Sequence, residues 1–225
     1  MKQLIKFLLY ASIVFCSYSC EKDNLDAPTS QLTGKLVFQD QQIGLRSTGV
    51  QFELWQAGYQ LFTRIPLNIK QDGTFSAVLY NGDYKLVRAR GAGPWTDNTD
   101  TVNVKLNGTA NIDVPIDPFF FIKNATYERV GSTIKATFSV EKNTTTKSLE
   151  LARFYIGPNL ILDQNNNAAN GQLLPASISF GAPVSITVTI PASIANDDFI
   201  YARVGVKTVG TAELLYTLPQ KIQIK

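Results

Sequence analysis

The 225-residue sequence contains no histidine, and that absence decides most of what its side chains can do. Imidazole is the commonest general base, the proton carrier of Ser-His-Asp and Cys-His systems, and a frequent metal ligand. The two cysteines, Cys16 and Cys20, lie within the first twenty residues, so neither equips the body of the chain with a thiol. Carboxylates remain. Glycosidic hydrolysis uses two of them across a cleft, and Asp97 with Asp100, or Asp197 with Asp198, offer such pairs. Both pairs sit among turn-forming residues, where aspartate is common because it accepts turn geometry. The run Asp163-Gln164-Asn165-Asn166-Asn167 sets oxygen donors at the first, third and fifth positions of a calcium loop. An EF-hand then needs glycine and glutamate where Ala168 and Leu174 stand. These residues predict no catalytic group, no metal site and no cofactor.

Aromatic and guanidinium groups are the better lead. Trp55 is out of phase with Val50, Phe52 and Leu54, so it projects from the polar face if those three face a core. Trp95 follows Gly93-Pro94 in a loop, with Arg88, Arg90 and Asp97 nearby in sequence. A tryptophan face stacks on the apolar side of a sugar ring, and such polar neighbours hydrogen-bond to hydroxyls. The alternative is that either tryptophan caps the end of a sandwich or fills a seam between domains. Arg153 with Tyr155, and Tyr201 with Arg203, alternate with apolar residues and predict a Tyr/Arg patch on an outward sheet face. Ordinary cross-strand pairing on a solvated sheet is the competing reading.

These side chains must be positioned by strands. With 44% hydrophobic and 17% charged residues the chain is able to bury cores, and no window carries a helical period. Short β-rich runs separated by turn signals fill the first half at 31–39, 49–56, 61–69, 74–80, 83–90, 99–106 and 109–116. The second half offers 119–123, 132–141, 148–156, 184–190, 200–208, 213–218 and 221–225, with an asparagine-rich loop at 157–183 around one short strand. Asp72-Gly73 and Asn81-Gly82 suit tight turns. Pro115 and Pro118 mark a stiff connection. The expected fold is all-β, two tandem β-sandwiches spanning 31–117 and 118–225.

The N-terminus reads as an export signal over residues 1–19: Lys2 and Lys6, an apolar stretch from Phe7 to Cys16, then small or polar residues. Ten apolar residues are about half of the roughly 20 needed to span a bilayer as a helix. Ser19-Cys20 followed by Glu21-Lys22-Asp23-Asn24 resembles the lipobox of bacterial lipoproteins. That resemblance implies a lipidated Cys20, a spacer over 20–30, and a body tethered to the membrane by its acyl chains alone. The acidic residues after the cysteine resemble the surface-export signal of Bacteroidetes lipoproteins, which implies an outer-membrane protein facing outward. Cleavage would remove Lys2 and Lys6 from a formal charge of only +3, leaving no basic field for nucleic acid.

Thr33-Gly34-Lys35-Leu36, Gly49-Val50-Gln51-Phe52, Gln71-Asp72-Gly73-Thr74-Phe75 and Tyr80-Asn81-Gly82-Asp83-Tyr84 are similar to the carboxypeptidase-regulatory or transthyretin-like sandwich. The second half resembles a fibronectin type III or immunoglobulin-like sandwich. With the N-terminal motif and Gly93-Pro94-Trp95, the whole resembles a two-domain Bacteroidetes lipoprotein family of unknown function that accompanies SusC/SusD-like glycan-uptake systems. The resemblance implies a non-enzymatic accessory in glycan capture, with glycan and SusC/SusD-like proteins as partners. The alternative is a structural or adhesin-like protein-interaction module that binds no glycan.

Overall fold

The computed structural model describes residues 26–58, 62–91 and 93–225. The export signal, Cys20 and the first part of the spacer lie outside these residues. Eight strands build the first sandwich: β1 (Ser30–Phe38), β2 (Gln41–Gln42), β3 (Gln51–Gln56), β4 (Ile65–Asn68), β5 (Thr74–Leu79), β6 (Gly82–Arg88), β7 (Val102–Leu106) and β8 (Thr109–Pro115). One sheet sets β1 between β5 and β8, β8 running parallel to β1, with β2 at the end of β1. The other has the order β4-β3-β6-β7. Period-two alternation explains the layers: Leu32, Leu36, Phe75 and Val114 from one sheet and Phe52, Leu54, Leu86 and Val104 from the other are buried. At the β4–β5 turn Gly73 has φ +80°, and a Cβ there would come within 1.9 Å of the Ile43 carbonyl oxygen.

The second sandwich comprises β9 (Phe120–Val130), β10 (Thr133–Lys142), β11 (Leu149–Gly157), β12 (Ala169–Leu173), β13 (Pro183–Thr189), β14 (Phe199–Thr208), β15 (Leu215–Tyr216) and β16 (Gln220–Gln223). One sheet has the order β13-β10-β9; the other has β12-β11-β14, with β15 and β16 both pairing with β14. The all-β, two-sandwich architecture agrees with the sequence reading. In detail, β9 continues seven residues beyond the expected end at 123. The cause is a bulge: Thr137 pairs with Thr126 but Ser139 with Lys123, so β9 carries one extra residue, and Asn124 takes it up at φ +54°. The bulge resets the alternation and disguises the polar second half of the strand.

The two sandwiches are joined by more than the linker. Their buried apolar residues form one continuous cluster, in which Phe38 meets Phe121 edge-on at 4.8 Å. Gly44 and Tyr216 exchange both backbone hydrogen bonds across the junction, at 3.1 and 2.9 Å. Arg46 grips Glu213 with Nε and Nη2. Gln71 donates to the Leu160 carbonyl at 2.6 Å and accepts from Leu162 N–H at 3.1 Å.

At the centre lies Arg203, 0% exposed. Its Nε donates to Thr217 O (2.7 Å), Nη1 to Leu162 O (3.0 Å), and Nη2 to both Leu45 O and Gln71 O (2.7 Å each). The guanidinium also stacks on the Tyr216 ring at 4.2 Å. Gly44 permits this approach, because a Cβ there would lie 2.5 Å from Nη2. This corrects the expectation of an outward Tyr/Arg patch. Tyr155 and Arg203 are cross-strand neighbours on the outer face of β11 and β14, but both are buried: the second sandwich's own Leu162, Leu214 and Tyr216 cover Tyr155, and Leu45 and Gln71 of the first sandwich close over Arg203. Arg153, half-buried, donates to Gln172 on β12. Tyr201 is also half-buried and packs edge-on against Phe199.

Candidate functional site

The outer face of the β4-β3-β6-β7 sheet collects side chains that alternation excludes from the core. Trp55 on β3 pairs with Lys85 on β6, which pairs with Asn103 on β7; one row further, Asp83 pairs with Lys105. The residues that alternate with them, Leu54, Tyr84, Leu86 and Val104, are buried, so the strand pleat turns these five side chains outward. Phe62, 60% exposed, lies against Trp55 with ring centroids 4.9 Å apart and planes tilted by 40°. Together they line a groove of about 410 Å³ whose floor includes Ala57 and the charged residues Asp83, Lys85 and Lys105.

The Trp55 ring is held by its own polar edge. Its indole Nε1 donates to Glu53 Oε2 at 3.1 Å, while Glu53 Oε1 accepts from Arg64 Nη1 at 3.0 Å. The carboxylate is thus engaged at both oxygens, and the indole enters any complex with its rotamer already restricted. An apolar platform bordered by ammonium, amide and carboxylate groups matches a pyranose ring: C–H groups meet the indole while hydroxyls meet the polar border.

Comparison with known proteins places this architecture. The N-terminal domain model of DUF3823, a protein of unknown function, matches residues 30–117. The DUF3823_C model, a domain of unknown function, matches residues 120–221. The chain belongs to the DUF3823 family. A DUF3823 protein from Bacteroides ovatus is 33% identical at a TM-score of 0.82, and one from Parabacteroides merdae is 30% identical at 0.80. A protein from Bacteroides uniformis, described as a candidate carbohydrate-binding protein, is 16% identical with a TM-score of 0.71 and shares the fold. Each alignment covers 88% of this chain and 100% of the other. No curated protein matches.

The DUF3823 fold separates Trp55 from the other expected ligand residues, of which it brings Arg88 and Trp95 together at one hollow. Trp55 lies on the open sheet face. Trp95 does not: it is 3% exposed, packs edge-on to Phe52 at 6.2 Å, and forms a β-bridge with Pro118 at the domain junction. It is a seam residue rather than a ligand platform. Arg88 is likewise buried, in phase with Tyr84 and Leu86, and donates through Nη1 to Pro115 O and through Nη2 to Asp100 O. The alternation of β6 already carried that signal. Arg90 and Asp97 are exposed, and Asp97 Oδ1 accepts from Gly91 N–H at 2.8 Å, closing its own loop. None of the four lines the Trp55 groove.

Sequence reasoning missed Phe62, Asp83, Lys85, Asn103 and Lys105. The phase of Asp83, Lys85, Asn103 and Lys105 along their strands was readable; which strands lie side by side, and that Phe62 would meet Trp55, was not. The asparagine loop builds a separate cleft of about 480 Å³ lined by Asn159, Asn165, Asn166 and Ser193. Asp163 is buried beneath it, and its Oδ1 accepts from the N–H groups of Asn165 and Asn166, which makes it a turn-forming residue. Among the described residues no cluster of three or more acidic side chains is placed to hold a metal ion.

Proposed function

We propose that this DUF3823 chain is a non-catalytic glycan-binding protein, tethered through Cys20 to the outer membrane with its sandwiches facing outward, and accessory to a SusC/SusD-like uptake system. The observation that carries the glycan reading is the Trp55–Phe62 platform with Lys85 and Asn103 at its border. A fold shared with the Bacteroides uniformis protein described as a candidate carbohydrate binder supports it. The groove argues for holding rather than cleaving: Glu53 is occupied by Arg64 and the Trp55 indole, which leaves Asp83 as the single acid of the lining, whereas hydrolysis uses a pair. The tether rests on the resemblance of Ser19-Cys20 and the acidic residues after it to a surface-lipoprotein motif.

The test is retention of the purified body in polysaccharide-containing native gels together with quenching of tryptophan fluorescence. Trp55→Ala should abolish retention, and because the ring is only half-buried it should leave thermal stability almost unchanged. Equal retention of wild type and variant across a broad glycan panel would refute the reading. Mass spectrometry of the native protein should find acyl chains on Cys20, and protease added to intact cells should cleave the body.

A second reading, a protein-interaction module, is favoured by one observation. Leu160, Ile161 and Leu218 are each more than two-fifths exposed and line a hollow of about 470 Å³ beside the domain junction, the kind of apolar patch that marks contact surfaces. It is compatible with glycan binding at the Trp55 groove, with which the hollow shares no lining residue.

A further inference from the structure

We propose that the Trp55–Phe62 groove selects an acidic sugar, with the ring on the indole and its carboxylate or sulfate between Lys85 and Lys105; this rests on the glycan reading above. Asp83 and Lys105 face each other across β6 and β7, as do Lys85 and Asn103. Lys85 and Lys105 are therefore diagonal neighbours on one sheet face, about 7–8 Å apart at the backbone and within mutual reach of long side chains.

Neither forms an ion pair among the described residues, while Lys35, Arg46, Arg64 and Lys207 all do. Glu53, the other acid of this face, is already neutralised by Arg64. The groove thus presents two ammonium groups outside any ion pair and one carboxylate, Asp83, an excess of one positive charge. A neutral sugar would require only the amide and the indole. A border with excess positive charge beside an aromatic platform is complementary to a ring that carries its own negative charge, and Asp83 should weaken that attraction.

Titration calorimetry with three ligands of matched length tests this: a neutral xylo-oligosaccharide, an oligogalacturonate bearing carboxylates, and a sulfated dextran oligosaccharide. An acidic ligand should bind at least about tenfold more tightly than the neutral one, as two exposed charge pairs allow, and its affinity should fall with added salt. The Lys85→Gln/Lys105→Gln double variant should erase that preference, while Asp83→Asn should strengthen acidic binding. Which of the two acidic ligands is retained identifies the anionic group. These positions are exposed, so unchanged melting temperatures should verify the folds. Equal affinity for neutral and acidic ligands, or no effect of the double variant, would overturn the charge selection and leave glycan binding standing. If no oligosaccharide binds and Trp55→Ala behaves as wild type, glycan binding itself fails and the selection falls with it.

Discussion

Arg203 shows how one side chain converts two packed domains into a single body. Its donors satisfy carbonyl oxygens of Leu45 and Gln71 from the first sandwich and of Leu162 and Thr217 from the second. Removing it orphans several buried acceptors, each costing about 1–3 kcal/mol. Arg203→Leu should therefore lower unfolding free energy by about 3 kcal/mol or more in urea titrations. Arg203→Lys should recover little of it, because one ammonium cannot span the fork of acceptors; full recovery would show that charge alone matters. Trp95 makes a contrasting case: as a buried ring, its replacement by alanine should cost about 3–5 kcal/mol while leaving glycan retention of the folded fraction intact.

Among the strands, β9 carries a feature that its sequence hides. Asn124 sits in the left-handed region at φ +54°, where asparagine is tolerated and β-branched residues are not. Asn124→Gly should be neutral or slightly stabilising, whereas Asn124→Val should cost about 1–2 kcal/mol. Equal stability of the two variants would mean that the bulge is not held at this residue. The β3-β6-β7 face follows the opposite logic. Its pleat is regular, so the phase of Trp55, Lys85 and Lys105 could be read from each strand. Arg88 could have been placed by the same alternation, since it is in phase with Tyr84 and Leu86, but its proximity in sequence to Trp95 suggested a shared surface site. Both are in fact buried, Arg88 by the pleat of β6 and Trp95 by the bridge to Pro118, so their closeness in sequence marks the junction rather than a surface.

For the molecule as a whole, the shared core and the Arg203 junction predict a single cooperative calorimetric transition, which Arg203→Leu should split or broaden. Two separate wild-type transitions would contradict this coupling. Alkaline stability probes the same junction. Burial raises the phenol pKa of Tyr127, Tyr155 and Tyr216 above their ordinary value near 10. The fold holds these protons where the unfolded chain releases them, so the associated stability is complete below pH 10 and is lost as pH rises beyond it. Burial also lowers Arg203 to about 10 from 12.5, which acts with the opposite sign in that window because there the unfolded chain keeps its proton. Three phenols oppose one guanidinium, so the melting temperature should decline above pH 10, and Tyr216→Phe should make the decline shallower. A flat or rising profile would be contrary to this account.

Alternating apolar residues, turn-forming Asp-Gly and Asn-Gly steps and the absence of a helical period were enough to determine two all-β sandwiches, because strand pleat and tight turns are local properties of the chain. Histidine's absence likewise narrowed the available chemistry before any fold was known. Tertiary structure decided what lies opposite what. It brought Trp55 to Lys85, Asn103 and Lys105, withdrew Trp95 and Arg88 into the junction, and closed the first sandwich over Arg203. Those outcomes depend on strand order and domain docking, where contacts join residues far apart in the chain and no local periodicity encodes the partner.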